Sequence, residues 1–329
     1  MEERIFNTIK KYNMIESGDK VICGVSGGPD SICMLEILKK IKDTGKINFE
    51  IIVCHVNHLI REEAIIDEEY VNRYCNNNNI KCFIKRIDVK QIANNNKQGI
   101  EEAGRNARYI FFDEILKIEN ANKIAIAHNK NDKAETIIMN ILRGSGVAGL
   151  KGIEPIRNNK YIRPLIETDR KEIEEYCNIN KLEPRIDKTN FINDCKRNKI
   201  RNIVIPYIKE EFNSNIINTL ERLSEVITEE DKYIRKITMQ NFNCIKLQES
   251  NGKIILDWNK FKKLEDFIKK RLIIYTIERT IGNVQNIEKV NIEDILKMCS
   301  NNVGNKYLMP NKHVKIFVNN GKITFTKII

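Results

Sequence analysis

The sequence predicts an α/β protein with a parallel sheet covered by helices on both faces, followed by a smaller α+β module. Three observations carry this. Short apolar runs alternate with helical periodicity through the first half. A length of 329 residues suits two domains better than one. The final stretch changes pattern to that of an antiparallel hairpin.

Met1–Ile15 reads as an amphipathic helix. The runs Lys20–Val25, Phe49–Val56, Lys81–Ile87 and Lys123–His128 read as strands, with helices from about Asp30, Ala64, Ile100 and Asp132. In such sheets ligands bind beyond the carboxyl ends of the strands. That rule gathers Ser26–Ser31, His55–His58 and His128–Asp132 along one edge. Ile208–Ile237 reads as one long charged helix connecting the domains, which puts the boundary near residue 212, with domains 1–212 and 213–329. Beyond it, "FKKLEDFIKKRLIIYTIERTIG" has helical character. "KHVKIFVNNGKITFTKI" reads as two strands turned at Asn319-Asn320-Gly321.

Lys and Arg number 56 against 45 Asp and Glu, a net charge of +11 that favours a polyanionic partner. The nine cysteines form no C-x-x-C pair, and several lie inside apolar runs. With no secretory leader, the cytoplasm is the expected compartment. No apolar run reaches bilayer-spanning length, so no membrane is expected.

Four stretches carry the chemistry. Ser26-Gly27-Gly28-Pro29-Asp30-Ser31 joins a strand to a helix without the lysine of a Walker A loop, a motif found nowhere in the chain. Backbone N–H groups and the helix N-terminus can hold an anion there, and Pro29 suits the first turn. Asp30 fits beside an anion if Mg²⁺ lies between them; the structural alternative is a tight turn with an acid at a helix start. In the second stretch, His55 and His58 lack further ligands at zinc spacing. They read instead as the border of an adenosine pocket, with Arg61 facing phosphate or RNA.

In the third, His128 ends a strand, and Asp132 and Glu135 share one helix face. They are either a capping pattern with Asp132 as N-cap or a pair of acids for Mg²⁺ or a substrate ammonium group. Gly144-Ser145-Gly146-Val147-Ala148-Gly149 spells a dinucleotide fingerprint but follows a helix, so it reads as a loop. In the fourth, Lys196, Arg197, Lys199 and Arg201 form a cationic cluster just after Asp187 and Asp194, either an RNA or phosphate contact or a solvated helix face.

Ser26–Ser31 after a first strand resembles the PP-loop of the N-type ATP pyrophosphatases. With His55–Ala64, Ala127–Thr136, Arg143–Leu150, Arg163–Leu165 and Arg197–Pro206 in order, the chain resembles the tRNA(Ile)-lysidine synthetases. Gly99–Phe112 resembles a further family segment, with Gly104 where alanine is usual, a departure that touches helix packing. The match is dense over residues 20–210. The C-terminal third matches in length and general character, and longer members carry another module.

The resemblance implies a PP-loop ATP-pyrophosphatase domain (adenine nucleotide alpha-hydrolase-like) and a tRNA-binding C-terminal domain. It implies a ligase that adenylates the wobble cytidine of the CAU-anticodon isoleucine tRNA with ATP and Mg²⁺. Free L-lysine then displaces AMP to give lysidine. By the same resemblance Ser26, Gly27, Gly28, Pro29, Asp30, Ser31, His55 and His128 bind ATP, and Asp30 also holds the metal. Asp132 and Glu135 hold lysine and help remove its proton, and Arg197 or Arg201 stabilises developing charge. Arg61, Arg143, Lys196, Arg197, Lys199 and Arg201 contact tRNA. A homodimer is compatible with all of this. The rivals are a PP-loop tRNA thiolase, for which Cys195 is the candidate thiol, and a non-catalytic RNA-binding module.

Overall fold

The computed structural model describes residues 1–60, 63–185, 193, 195–284, 287–300 and 306–328. These divide into two compact units, Met1–Ile227 and Thr228–Ile329.

In the first unit, α1 (Glu2–Lys11) precedes β1 (Lys20–Gly24), α2 (Pro29–Asp43), β2 (Glu50–Asn57), α3 (Ala64–Asn77) and β3 (Lys81–Arg86). Then come α4 (Val89–Asn96), α5 (Ile100–Ile118), β4 (Lys123–Ile126), α6 (Lys130–Leu142) and the single turn α7 (Val147–Leu150). The unit continues through β5 (Ile156–Arg157), β6 (Tyr161–Ile162), α8 (Arg170–Ile179), α9 (Lys196–Lys199) and α10 (Ile205–Glu211). A π-helical turn, Ile200–Val204, links the last two helices.

The sheet order is β3-β2-β1-β4-β6-β5. Pairing is parallel from β3 to β6, and only the edge pair β5–β6 runs antiparallel. The four strands expected from the sequence are β1 to β4. The two-residue strands β5 and β6 are too short to leave a periodic signal.

Alternation along β1 sends residues to opposite faces, as the period of two requires. Val21 and Cys23 join a core with Ile32, Leu35, Val71 and Ile173 beneath α2, α3 and α8. Ile22 joins Cys54, Phe111, Phe112 and Ile115 beneath α5. Each Val, Leu, Ile or Phe among them, fully buried, contributes about 1.5–3 kcal/mol relative to exposure. Gly24 is needed here, because a Cβ would sit 2.6 Å from the Phe112 ring. The chain leaves β1 for β2 on one side and returns through α5 to β4 on the other. The carboxyl end of β1 is therefore the switch point where ligands bind in such sheets.

The helix expected over Ile208–Ile237 is two helices. α10 ends at Glu211, and α11 runs Ile216–Ile245, through the division between the units. Asn213 makes the break: its Oδ1 accepts from Asn215 N at 2.9 Å, and its Nδ2 donates to Thr219 Oγ1 at 3.1 Å.

The second unit holds β7 (Lys246–Ser250), β8 (Lys253–Asp257), α12 (Trp258–Lys262), α13 (Asp266–Ile281), α14 (Lys289–Ser300), β9 (Lys306–Asn311), β10 (Val314–Asn319) and β11 (Lys322–Lys327). α12 and α13 split the single helical stretch read from the sequence. The expected hairpin is β10–β11, turned by Asn320 and Gly321 at φ 47° and 67°. It sits in an antiparallel sheet ordered β7-β8-β11-β10-β9, packed through Ile316, Ile323 and Phe325 on Leu272 and Ile295. No helix among the described residues is long and apolar enough to cross a membrane.

Candidate active site

The loop after β1 is held by its own residues. Gly28 caps α2 and Pro29 opens it. Gly27 adopts φ +91°, a conformation that favours glycine. Ser31 Oγ donates to Gly28 O at 2.9 Å and accepts from Ser26 N at 3.1 Å. Its one proton is thereby spent on Gly28 O, so in the 3.2 Å contact between the two hydroxyls the exposed Ser26 is the donor, and its proton can turn from Ser31 Oγ to a ligand. A strut from outside completes the loop: Arg185 N donates to Gly27 O at 2.9 Å.

A cavity of about 410 Å³ opens beside this loop. The carboxyl ends of β2 and β4 line it with His55, His58 and His128, and helices add Arg108, Arg170 and Arg201. Asp30 faces it from the first turn of α2, and Asn129 Nδ2 donates to Asp30 Oδ1 at 2.9 Å. Burial, reinforced by the charge of Asp132, pushes the Asp30 carboxyl up to about 6. Burial pushes His128 down to about 3 and His58 down to about 4, so both rings are neutral at pH 7.

Next to the cavity lies a charge-balanced quartet. Arg197 donates from Nε to Glu135 at 2.8 Å and from a terminal nitrogen to Asp132 at 2.9 Å. Arg201 donates to both Glu135 oxygens at 2.5 and 2.9 Å and to Asp132 at 3.1 Å. Two carboxylates thus meet two guanidiniums, with the Glu135 side chain only 1% exposed. Arg201 also lines the cavity, so one residue joins the two halves of the site. It is carried by the π-helical turn, a distortion often found at functional sites.

Residues 1–208 match the PP-loop domain family. A tRNA(Ile)-lysidine synthase of Clostridium acetobutylicum is 44% identical over 320 residues, covering 97% of this chain and 68% of the relative. The chain belongs to the tRNA(Ile)-lysidine synthase family. A second relative so named, from Clostridioides difficile, is 40% identical over 325 residues, covering 98% of this chain and 70% of its own. Among solved structures, a U34-tRNA thiolase from Methanococcus maripaludis superposes with a TM-score of 0.53 at 21% identity, over 68% of this chain and 78% of that one. That likeness is one of fold.

Within this lysidine synthase framework, Ser26, Gly28, Pro29, Asp30, Ser31, His55, His128 and Arg201 line one cavity, Gly27 is buried behind them, and Asp132, Glu135 and Arg197 stand beside it. Asp132 is not the N-cap. Asn129 caps α6, and Asp132 sits at the third helical position as the other half of a capping box, 2.9 and 3.0 Å from its partner. Lys196 and Lys199 are exposed on α9. Arg143 is exposed at the C-terminal end of α6, about 20 Å along the helix from Asp132's end and outside the cavity lining. Arg61, Asp187 and Asp194 lie outside the described residues.

Sequence reading missed Asn129, Arg108, Arg170 and Arg185. Arg108 was in view within the Gly99–Phe112 segment. Asn129 ties both acids together: it donates to Asp30 and caps the helix that bears Asp132. An alanine at Gly104 would place its methyl 3.6 Å from His58, ordinary contact, so the departure there is one of packing. Cys195, the thiol of the thiolase alternative, caps α9 through its sulfur, which accepts from Asn198 N at 3.4 Å.

No three of His, Cys, Asp and Glu converge as a metal cage among the described residues. Mg²⁺ commonly binds through one or two carboxylates and substrate phosphates, keeping several waters. A half-buried Asp30 in the first turn of α2, beside a glycine-rich loop, fits that mode.

Proposed function

We propose that this chain uses ATP to join free L-lysine to C2 of the wobble cytidine of the CAU-anticodon isoleucine tRNA, a carbon–nitrogen ligation. The cytidine O2 attacks the α-phosphorus and pyrophosphate leaves. The ε-amine, having lost its proton, then attacks C2, and AMP departs with the former O2. One observation carries the assignment: Arg201 lines the cavity of the phosphate loop and binds the acid pair at the same time. Adenylation and amine attack thus share one charged residue.

In this reading Ser26, Gly27, Gly28 and the N-terminus of α2 hold the triphosphate, and Ser31 keeps the loop in shape. Asp30 would hold Mg²⁺, which supplies charge neutralisation at the departing pyrophosphate. Asp132 and Glu135 hold the lysine ammonium group. The quartet is already neutral, so lysine takes the place of a guanidinium, and the displaced arginine turns to the phosphate. Lys196, Lys199 and Arg143 offer exposed positive charge to the tRNA, with Thr228–Ile329 as a second contact region. All three substrates meet in the cytoplasm, the compartment proposed.

The test is incorporation of radiolabelled lysine into an isoleucine tRNA transcript with a CAU anticodon, given ATP and Mg²⁺, with methionine tRNA as control. Label in the isoleucine tRNA alone is expected. Pyrophosphate release without label would overturn lysine as the nucleophile and make Cys195 the next residue to substitute.

A further inference from the structure

Two histidines on opposite sides of β1 present opposite chemistry to the cavity. His55 lies near the end of β2 and His128 just beyond β4, the two strands that flank β1. His55 is 3% exposed, and its Nδ1 stands 2.8 Å from the Val25 carbonyl oxygen. A carbonyl only accepts, so the proton is on Nδ1, and the neutral ring leaves Nε2 as a bare acceptor. That Nε2 is buried without a protein partner among the described residues, and the ring lines the cavity.

At His128 the order is reversed. Arg163, itself 3% exposed, points Nε at His128 Nδ1 from 3.1 Å. A guanidinium only donates, so Nδ1 is the acceptor and the proton lies on Nε2. Protonating the ring would set an N–H against the guanidinium. Arg163 is anchored by donating to Glu154 O and, from its own backbone, to Pro155 O at 3.0 Å.

We propose that these two histidines are locked in opposite neutral tautomers and thereby sort the two ends of the nucleotide. His55 Nε2 accepts from a donor on the nucleoside. His128 Nε2–H donates to a phosphoryl oxygen, and Arg163 is the positioning residue that fixes it.

The assignment follows from what each part of ATP can offer. Fully ionised triphosphate oxygens carry no donor and cannot satisfy His55 Nε2. The nucleoside brings three donor groups, the 6-amino group and the two ribose hydroxyls, and a buried acceptor left bare is costly. Phosphoryl oxygens need donors, and a neutral N–H supplies one without adding charge beside Asp30 and Arg201.

The inference rests on the ATP reading of the cavity, and two measurements keep their failures apart. The chain has four histidines. Long-range ¹H–¹⁵N correlation on histidine-labelled protein therefore reads each ring directly. His55 is expected as the Nδ1–H tautomer and His128 as Nε2–H at pH 7. Either ring reversed, or charged, overturns the proposal even if ATP binds. Arg163→Met should release His128 to a mixture of tautomers, and Arg163→Lys, which keeps a charged donor, should hold it. If both leave the ring unchanged, Arg163 is not the positioning residue.

The second measurement uses asparagine, whose amide overlays Nδ1. It can keep each anchoring bond while deleting the cavity-facing atom. His55→Asn should weaken ATP binding roughly tenfold. That penalty should vanish for whichever analogue lacks the donor: purine riboside triphosphate for the amine, 2′-deoxy- or 3′-deoxy-ATP for a hydroxyl. A full penalty with all three analogues would refute the His55 contact. His128→Asn should slow pyrophosphate release, and His128→Gln, whose amide overlays Nε2, should recover part of it. Equal loss in both would refute the His128 donor. Absence of ATP binding to the unsubstituted protein would instead overturn the reading of the cavity itself.

Discussion

The phosphate loop and the quartet meet the same demand, polar groups held in place at one sheet edge, by opposite means. The loop is local: residues within Ser26–Ser31 supply most of its hydrogen bonds, and a change there is felt within a turn. The quartet joins residues 62 to 69 positions apart, and none of its four charges is balanced without the others. The loop can therefore stand ready for an anion in the free protein. The quartet is closed on itself, and in the proposed function lysine would have to open it. Local order suits a group that binds substrate unchanged, and balanced charge suits a group that exchanges partners.

The sharpest way to break this contrast is Glu135→Ala. It leaves two partly buried guanidiniums facing one carboxylate, and removing one partner of a buried pair costs about 3 kcal/mol or more. A fall of that size in urea unfolding free energy is expected, with lysine transfer lost. A loss below about 1 kcal/mol would mean the arginines simply turn to solvent. Gly27→Ala tests the other side. It places a side chain at φ +91°, a strain of about 1–2 kcal/mol, with open contacts of 3.6 Å and beyond. ATP affinity should fall with little change in lysine binding. Equal damage to both ligands would show that the two halves do not act separately.

The same contrast explains what the sequence disclosed. Four strands and the loop were legible because apolar runs, paired glycines and Pro29 act over a few residues. The acids and arginines were each visible, but their pairing was not, since no local pattern joins Glu135 to Arg201. The cap of α6 was placed one turn late because Asp132–Glu135 and Asn129–Asp132 both fit the capping spacing, and Asn caps as well as Asp. The break in the long helix had a signal, Asn213-Ser214-Asn215, that helical periodicity on either side overrode. Arg163 was visible only as part of a motif, because its bond to His128 depends on two separate strands meeting.

Smaller effects separate hydroxyls within the loop. Ser31→Ala removes a buried donor–acceptor pair and should cost about 1 kcal/mol of stability along with ATP affinity. Ser26→Ala should weaken ATP binding while leaving the unfolding free energy nearly unchanged. The reverse order would make Ser26 the residue that shapes the loop.

The smallest effect is one of pH, and it falls on the group that links loop and quartet. Asp30 is pushed up to about 6 by burial and by Asp132. Its anion, the form that would hold Mg²⁺ in the proposed function, exists above that pH and is lost below it. Affinity for ATP with Mg²⁺ should therefore decline as pH falls through 6, by roughly twofold at the midpoint if only the anion binds. The nucleotide protonates in the same range, so the comparison is with Asp30→Asn, which retains that contribution and lacks the carboxylate. Calorimetric titration from pH 5 to 8 should show a steeper fall for the unsubstituted protein. Parallel curves would mean that Asp30 does not titrate there, and that Asn129 and the arginines hold it charged throughout.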